Sequence, residues 1–244
     1  MPRVKSPPTA IDLALEALYA AFVQYTGSHV EGCPHCVSFE DSAALRRAPL
    51  RQLGGELHRY LFKAMTTWGT NDDFKHFVPR LVELYAWSSD AWLLCDKLAY
   101  ASWRAWPEHE QRAVERYLQA LWKDELAAFG SPLPGHALLE TMAKLDIDMA
   151  PYDLRDKLES WRNENSRESA KAMACFVLEH GPALFWSTSS PGRRTLWQEK
   201  PEIALEVHDW LLAPAIRDWL EASFVMYNDP EVARAFDWLE SAAR

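Results

Sequence analysis

The chain of 244 residues reads as an all-α protein: a single domain of about eleven short helices, arranged as an irregular bundle or a short α-solenoid of stacked helix pairs. Three observations predict this. Apolar residues recur at three- and four-residue steps along most of the chain, while the strict alternation of a half-buried strand is almost absent. Glycine occurs only 9 times, about 4% against a usual share of about 7%, so the chain is poor in helix breakers. Apolar residues reach 48%, and 12 tryptophans, 10 phenylalanines and 8 tyrosines can fill the spaces between short helices. So much apolar mass excludes a disordered chain, and four cysteines are too few for a disulfide scaffold. No run approaches the roughly 18 consecutive apolar residues of a membrane span.

The elements follow in order. Residues 1–8 are expected to be disordered. Ile11, Leu15, Leu18, Phe22 and Tyr25 then form one apolar helical stripe, capped by Thr9 and stopped by Gly27. A loop over 28–37 leads to a short helix around Asp41–Arg47 that ends near Pro49. Leu57, Tyr60, Leu61 and Ala64 share a face of the next helix, Leu53–Thr67, which Trp68-Gly69 closes. Thr70 or Asn71 caps a helix through Tyr85, with Asp72 and Asp73 in the first turn, where the macrodipole favours acids. Pro79 should kink or split it, because proline lacks the donor and clashes with the preceding turn. Helical patterns continue at Asp90–Ser102, Pro107–Phe129, His136–Leu145, Pro151–Asn163, Ser166–His180, Pro201–Leu212, Pro214–Met226 and Pro230–Ala242. Five open on proline, whose fixed φ suits the first helical position. Gly181–Lys200 reads as a long loop, exposed over 187–195. With no long linker, one domain over 1–244 is expected.

The net charge of −9 is unevenly spread. Residues 1–122 carry 13 basic and 14 acidic side chains, and residues 123–244 carry 13 and 21. An acidic half disfavours nucleic acid, whose phosphates need lysine and arginine; it serves as a solubilising surface or an acidic docking face. Asp-Trp-Leu recurs at 209–211, 218–220 and 237–239, as expected of helices that bury a tryptophan and leave its acid in water. Trp210, Trp219 and Trp238, with Glu221, Glu231 and Glu240, are the candidate interaction residues. Trp87, Trp92, Trp103 and Trp106 fall close together; most should be core, with two or three tryptophans of the chain exposed, where they can anchor a ligand or a partner. The first nine residues carry positive charge but no apolar core of a signal peptide, so the expected compartment is the cytoplasm, with reduced thiols.

The sharpest local feature is Cys33-Pro-His-Cys36. Two thiols at this spacing can chelate a metal, form a redox disulfide or lie idle. In a redox role Cys33 would be the nucleophile and Cys36 would resolve, with His35 or nearby arginines stabilising the thiolate. In a zinc site the preferred set is Cys33, Cys36, His29 and either His58 or His76. No cofactor is expected otherwise. Cys95 and Cys175 sit in apolar helical stretches, where free cysteine behaves as a small hydrophobe. Asp72 and Asp73 with His76 could share a helix face as a metal or acid–base group, although acids there are also what a helix start requires. Arg46, Arg47 and Arg51 are a candidate anion contact, as is the Ser187–Arg194 loop. The glycine-rich phosphate loops, the nucleophile elbow and the zincin helix motif are absent.

Three resemblances accompany these motifs. Cys33-Pro-His-Cys36 is identical to the active-site tetrapeptide of DsbA-type disulfide oxidases, thioredoxin-fold proteins that place it between a strand and a helix; here no strand pattern precedes it, and the likeness stops at four residues. Asp73–Leu84, bent at Pro79, is similar to the first helix of a HEAT-type repeat, although no period of that class recurs. Cys33–Cys36 with Phe62-Lys-Ala-Met-Thr-Thr-Trp-Gly69 and Asp72-Asp-Phe-Lys-His-Phe77 resembles an uncharacterised family of bacterial proteins. That resemblance implies a bacterial cytosolic protein and brings no activity with it. The function favoured first is a non-enzymatic interaction or scaffold protein, its partner another protein or a second copy of the chain, with neither nucleic acid nor membrane. The alternative is a zinc-binding or thiol-redox protein centred on Cys33 and Cys36.

Overall fold

A computed structural model describes residues 7–27, 30–86, 88, 90–127, 154–186, 196–199 and 201–243. The protein is all-α, with no strand among the described residues. The expected helix His136–Leu145, residues 1–6 and the loop 187–195 lie outside them. The chain divides into two compact units, Met1–Trp122 and Lys123–Arg244, and this boundary is also the one at which the charge changes.

The first unit carries α1 (Ala10–Ala21), α2 (Phe39–Arg47), α3 (Glu56–Lys63), α4 (Asn71–Tyr85), α5 (Ala91–Tyr100) and the start of α6 (Glu108–Ala127). Reciprocal capping boxes begin α1 at Thr9 and Asp12, α2 at Ser38 and Asp41, and α4 at Thr70 and Asp73. In each, a hydroxyl and a carboxylate satisfy donors that the helix itself leaves free. α4 is the central element. Phe74, Phe77, Val78, Pro79, Leu81 and Val82 are buried along it, and the helix is not split at Pro79.

Two expected helices end early, each because its chain is needed elsewhere. α1 stops at Ala21 rather than at Tyr25, and the next residues enter a buried ionic network. The Lys75 ammonium lies 2.9 Å from Glu110 and donates to the Tyr25 hydroxyl at 3.0 Å, while Tyr25 and Gln24 donate to the other Glu110 oxygen at 2.7 and 3.0 Å. The Lys75 and Glu110 side chains are only 8% and 0% exposed. Burial by itself lowers the pKa of Lys75, but the hydrogen bonds to Glu110 and Tyr25 outweigh it and hold the ammonium raised. Trp106 supplies a ring face 4.8 Å from the same nitrogen. Beyond Tyr25, Gly27 adopts φ +55°, and a Cβ there would meet the His76 ring at 2.3 Å, so only glycine fits.

α3 ends at Lys63 instead of Thr67. The Lys63 carbonyl accepts from Thr66, Thr67 and Trp68, and Met65 turns left-handed at φ +61°. The chain so freed pairs with residues 31–33.

In the second unit, α7 (Leu154–Asn163), α8 (Arg167–Trp186), α9 (Leu196–Glu199), α10 (Pro201–Leu212), α11 (Pro214–Tyr227) and α12 (Pro230–Ala242) follow. α12 packs on both α8 and α11. Contrary to the expected loop from Gly181, α8 continues through Gly181-Pro182 to Trp186. A Cβ at Gly181 would meet the Trp238 ring at 2.5 Å, so this glycine serves helix packing rather than a turn. Asp229 caps α12 and lies 3.3 Å from Arg167 and 3.6 Å from Lys171 on α8.

Breaking a buried ion pair from one side leaves a charge without a counter-ion. Lys75→Met should therefore destabilise the first unit by about 3–5 kcal/mol in urea unfolding, and Lys75→Met with Glu110→Leu should recover most of it. A single variant with an unshifted midpoint would show that the pair does not hold these elements together.

Candidate functional site

The cysteine loop is built by backbone pairing. Cys33 N–H donates to the Thr67 carbonyl at 2.7 Å, Gly69 N–H donates to Glu31 at 2.9 Å, and Gly32 and Trp68 form an isolated antiparallel bridge. Residues 31–33 are thereby fixed to 67–69. The chain then folds into one helical turn, with Cys36 N–H and Val37 N–H donating to the Cys33 carbonyl at 2.8 and 2.9 Å. Val37 points inward and is buried; a Cβ on Gly32 would meet it at 2.5 Å. Lys63 of α3 donates to the Cys36 carbonyl, and Arg46 of α2 donates to Val30 at 3.0 Å. Under the loop lie Trp68 and Tyr60, edge to face at 5.5 Å.

On this support both Cys33 and Cys36 are exposed and free. Cys33 stands at the N-terminal end of the turn. The His35 backbone N–H and then its ring donate to the sulfur, followed by the Cys36 thiol and N–H, and together they hold the Cys33 thiol below its ordinary range. A thiolate is thus stabilised in contact with water, with a second thiol two residues beyond its neighbour. The arrangement can attack a disulfide or supply two ligands to a soft metal.

The other expected site residues are occupied differently. His76 Nδ1 lies 2.7 Å from the Tyr25 carbonyl, and His58 Nε2 lies 3.3 Å from Asp90. His29 lies outside the described residues. Among the described residues no three histidine, cysteine or acidic side chains converge as a metal-ligand group. Asp73 is used in the α4 capping box, which accounts for it without catalysis. Of the three arginines proposed as an anion contact, Arg46 holds the Val30 carbonyl, and Arg51 pairs with Glu16 at 2.8 Å and lies 3.7 Å from the centre of the Tyr19 ring. Arg47 is exposed.

In the second unit Trp210 is buried and donates to Glu159 at 2.9 Å, while Trp219 and Trp238 are half-buried. Asp209, Asp218 and Asp237 are exposed beside them, as the tripeptide pattern implied. Glu221 is exposed; Glu231 lies 3.6 Å from Arg234, and Glu240 lies 3.0 Å from Arg217. In the first unit Trp103 and Trp106 are core and Trp92 is partly exposed, while Trp87 lies outside the described residues. The sequence did not mark Phe39 and Phe62 as exposed, at 80% and 62%, nor Lys63 as a support of the loop. No family model, curated protein or solved structure matches the chain.

An acid with a lowered pKa is deprotonated at lower pH, so iodoacetamide should alkylate Cys33 with a midpoint below the roughly 8.5 of a free thiol. His35→Ala removes the ring and should move the midpoint upward. A wild-type midpoint at or above that of a free thiol would refute this account of the turn.

Proposed function

We propose that the protein performs thiol–disulfide exchange through Cys33 and Cys36. The observation that carries the proposal is an exposed dithiol held at the start of a turn, which is itself fixed by backbone pairing to residues 67–69. The Cys33 thiolate attacks one sulfur of a partner disulfide, forms a mixed disulfide and expels the other sulfur as a thiolate. Cys36, deprotonated, then attacks the Cys33 sulfur and releases the second partner thiolate. The two protons from Cys33 and Cys36 end on the two product thiols. The protein is oxidised to a disulfide by two electrons, and the partner disulfide is reduced.

A bacterial cytoplasm, the setting inferred from the sequence, would keep the resting form a dithiol. Zinc held by the same two sulfurs is the competing chemistry; it needs further ligands, and His76 and His58 already have partners. The interaction-protein reading drew on the acidic, tryptophan-rich half. There Trp210 is buried, and Glu231 and Glu240 face arginines of their own chain, which supports the dithiol more than that face.

The test is a thiol titration beside metal analysis. Of four thiols, two should disappear reversibly when the reduced protein is equilibrated with glutathione buffers, and this couple should vanish in Cys33→Ser and in Cys36→Ser. Cys36→Ser should accumulate a mixed disulfide on Cys33, because no resolving thiol remains. Stoichiometric zinc lost with either cysteine, and no reversible couple, would replace exchange by metal binding.

A further inference from the structure

Four hydrogen bonds close a ring around the dithiol. Thr67 N–H donates to the Lys63 carbonyl at 3.1 Å, and Cys33 N–H donates to the Thr67 carbonyl at 2.7 Å. Cys36 N–H donates to the Cys33 carbonyl at 2.8 Å, and the Lys63 ammonium returns to the Cys36 carbonyl. Three of these links are backbone to backbone. Lys63 enters the ring twice, through its carbonyl and through its side chain. Its own backbone is firmly placed. It ends α3 beside the buried Leu61 and Ala64, and its carbonyl also accepts from Thr66 and Trp68, each at 3.2 Å.

The two cysteines depend on this ring in different ways. Cys33 is tied to Thr67 by its own N–H, and its sulfur is held by donors from His35 and Cys36. The Cys36 thiol is one of those donors, so the two side chains already face each other. That attraction belongs to a Cys33 thiolate. Once Cys33 is bonded to the sulfur of a partner it carries no charge, and charge-assisted hydrogen bonds to it weaken. The hold is thus lost at the step in which Cys36 must reach the Cys33 sulfur. The bond from Lys63 goes to the Cys36 carbonyl and involves neither sulfur, so it does not depend on the charge of Cys33.

Resting on the exchange reaction above, we propose that Lys63 is the positioning residue of its second step: by holding the Cys36 carbonyl it keeps Cys36 turned toward Cys33 while the partner is attached. An intramolecular attack gains much of its rate from such prior orientation. Without it the mixed disulfide lives longer, and the partner thiolate released in the first step has time to attack it. In that reversal the partner sulfur returns to its original disulfide, and Cys33 leaves as the thiolate. Lys63 acts on the balance between resolution and return, and takes no part in the bond exchange.

The test uses dithiodipyridine, an uncharged chromogenic disulfide that the Lys63 charge does not steer. The dithiol should release coloured thiol in two phases, a second-order one as Cys33 attacks and a first-order one as Cys36 resolves. Cys36→Ser, which lacks the second phase, supplies the background of Cys95 and Cys175. Lys63→Met should slow the second phase about tenfold, the effect of losing one hydrogen bond from a charged group. Its first phase and its Cys33 alkylation midpoint should match the wild type, because the groups that stabilise that thiolate are His35 and Cys36. Lys63→Arg retains a cationic donor and should restore most of the rate. Equal slowing of both phases, or a second phase unchanged in Lys63→Met, would overturn the proposal while leaving the exchange chemistry standing. A wild type without a second release would remove both.

Discussion

The short backbone pairing between residues 31–33 and 67–69 is the constraint from which the site follows. Two hydrogen bonds, at 2.7 and 2.9 Å, join segments more than thirty residues apart. To supply them, α3 must end four residues before the helix its sequence predicts, and Met65 must turn left-handed, which costs about 1–2 kcal/mol for a residue with a side chain. The carbonyls left by this early end are satisfied. Lys63 accepts three backbone donors, and Lys97 of α5 reaches the Ala64 carbonyl at 2.9 Å. Burial lowers the pKa of Lys97, so placing it there works against its charge, and the carbonyl it holds is the closing point of the turn. Two lysines thus hold carbonyls of the paired segments, Lys97 that of Ala64 and Lys63 that of Cys36.

A rigid support has a chemical consequence. The donors that stabilise a Cys33 thiolate are the N–H of His35, its ring, and the thiol and N–H of Cys36. All lie within the turn. A lowered Cys33 pKa favours the reduced form, so in the proposed exchange a Cys33–Cys36 disulfide would be easier to reduce than one between unperturbed cysteines. In the proposed exchange, the same stabilisation would make Cys33 the better leaving group when a thiolate attacks the partner's sulfur of the mixed disulfide. Both sulfurs are free and exposed to water, as the proposed exchange requires.

Local signals in the sequence located what local interactions decide. Thr9 and Thr70 cap their helices as read, Pro201, Pro214 and Pro230 begin theirs, and the acids of the Asp-Trp-Leu repeats face water. The misplaced boundaries belong to long-range contacts. Nothing near Ala64 announces that its chain will pair with Gly32, and Gly181 resembles a stop until Trp238 is placed against it. The buried Lys75 was missed for a similar reason, since its partner Glu110 is 35 residues away. One clue was present: Lys75 shares a helical face with Val78, Pro79 and Val82, a stripe on which a lysine must either reach water or find a carboxylate. For the candidate site, the two cysteines and their spacing were legible, and both are free and exposed. The exposure of Phe39 and Phe62 was not, because they look like core residues until the inward faces of α2 and α3 are known.

The uneven charge also acquires a physical meaning. Fields from solvent-exposed acids fall off over about 8–10 Å at ordinary ionic strength, so the eight excess negative charges of 123–244 do not determine the state of Cys33 unless they come that close. The causes of the lowered Cys33 pKa are local hydrogen bonds from His35 and Cys36, and the segment that follows the loop, Ser42–Trp68, carries five basic residues and one acid. Arg46, Arg59 and Lys63 from this segment are committed to Val30, Asp41 and Cys36, so they order the loop and offset its acids at the same time. Concentrating the acid beyond residue 122 leaves residues 1–122, which carry the dithiol, close to neutral with 13 basic and 14 acidic side chains.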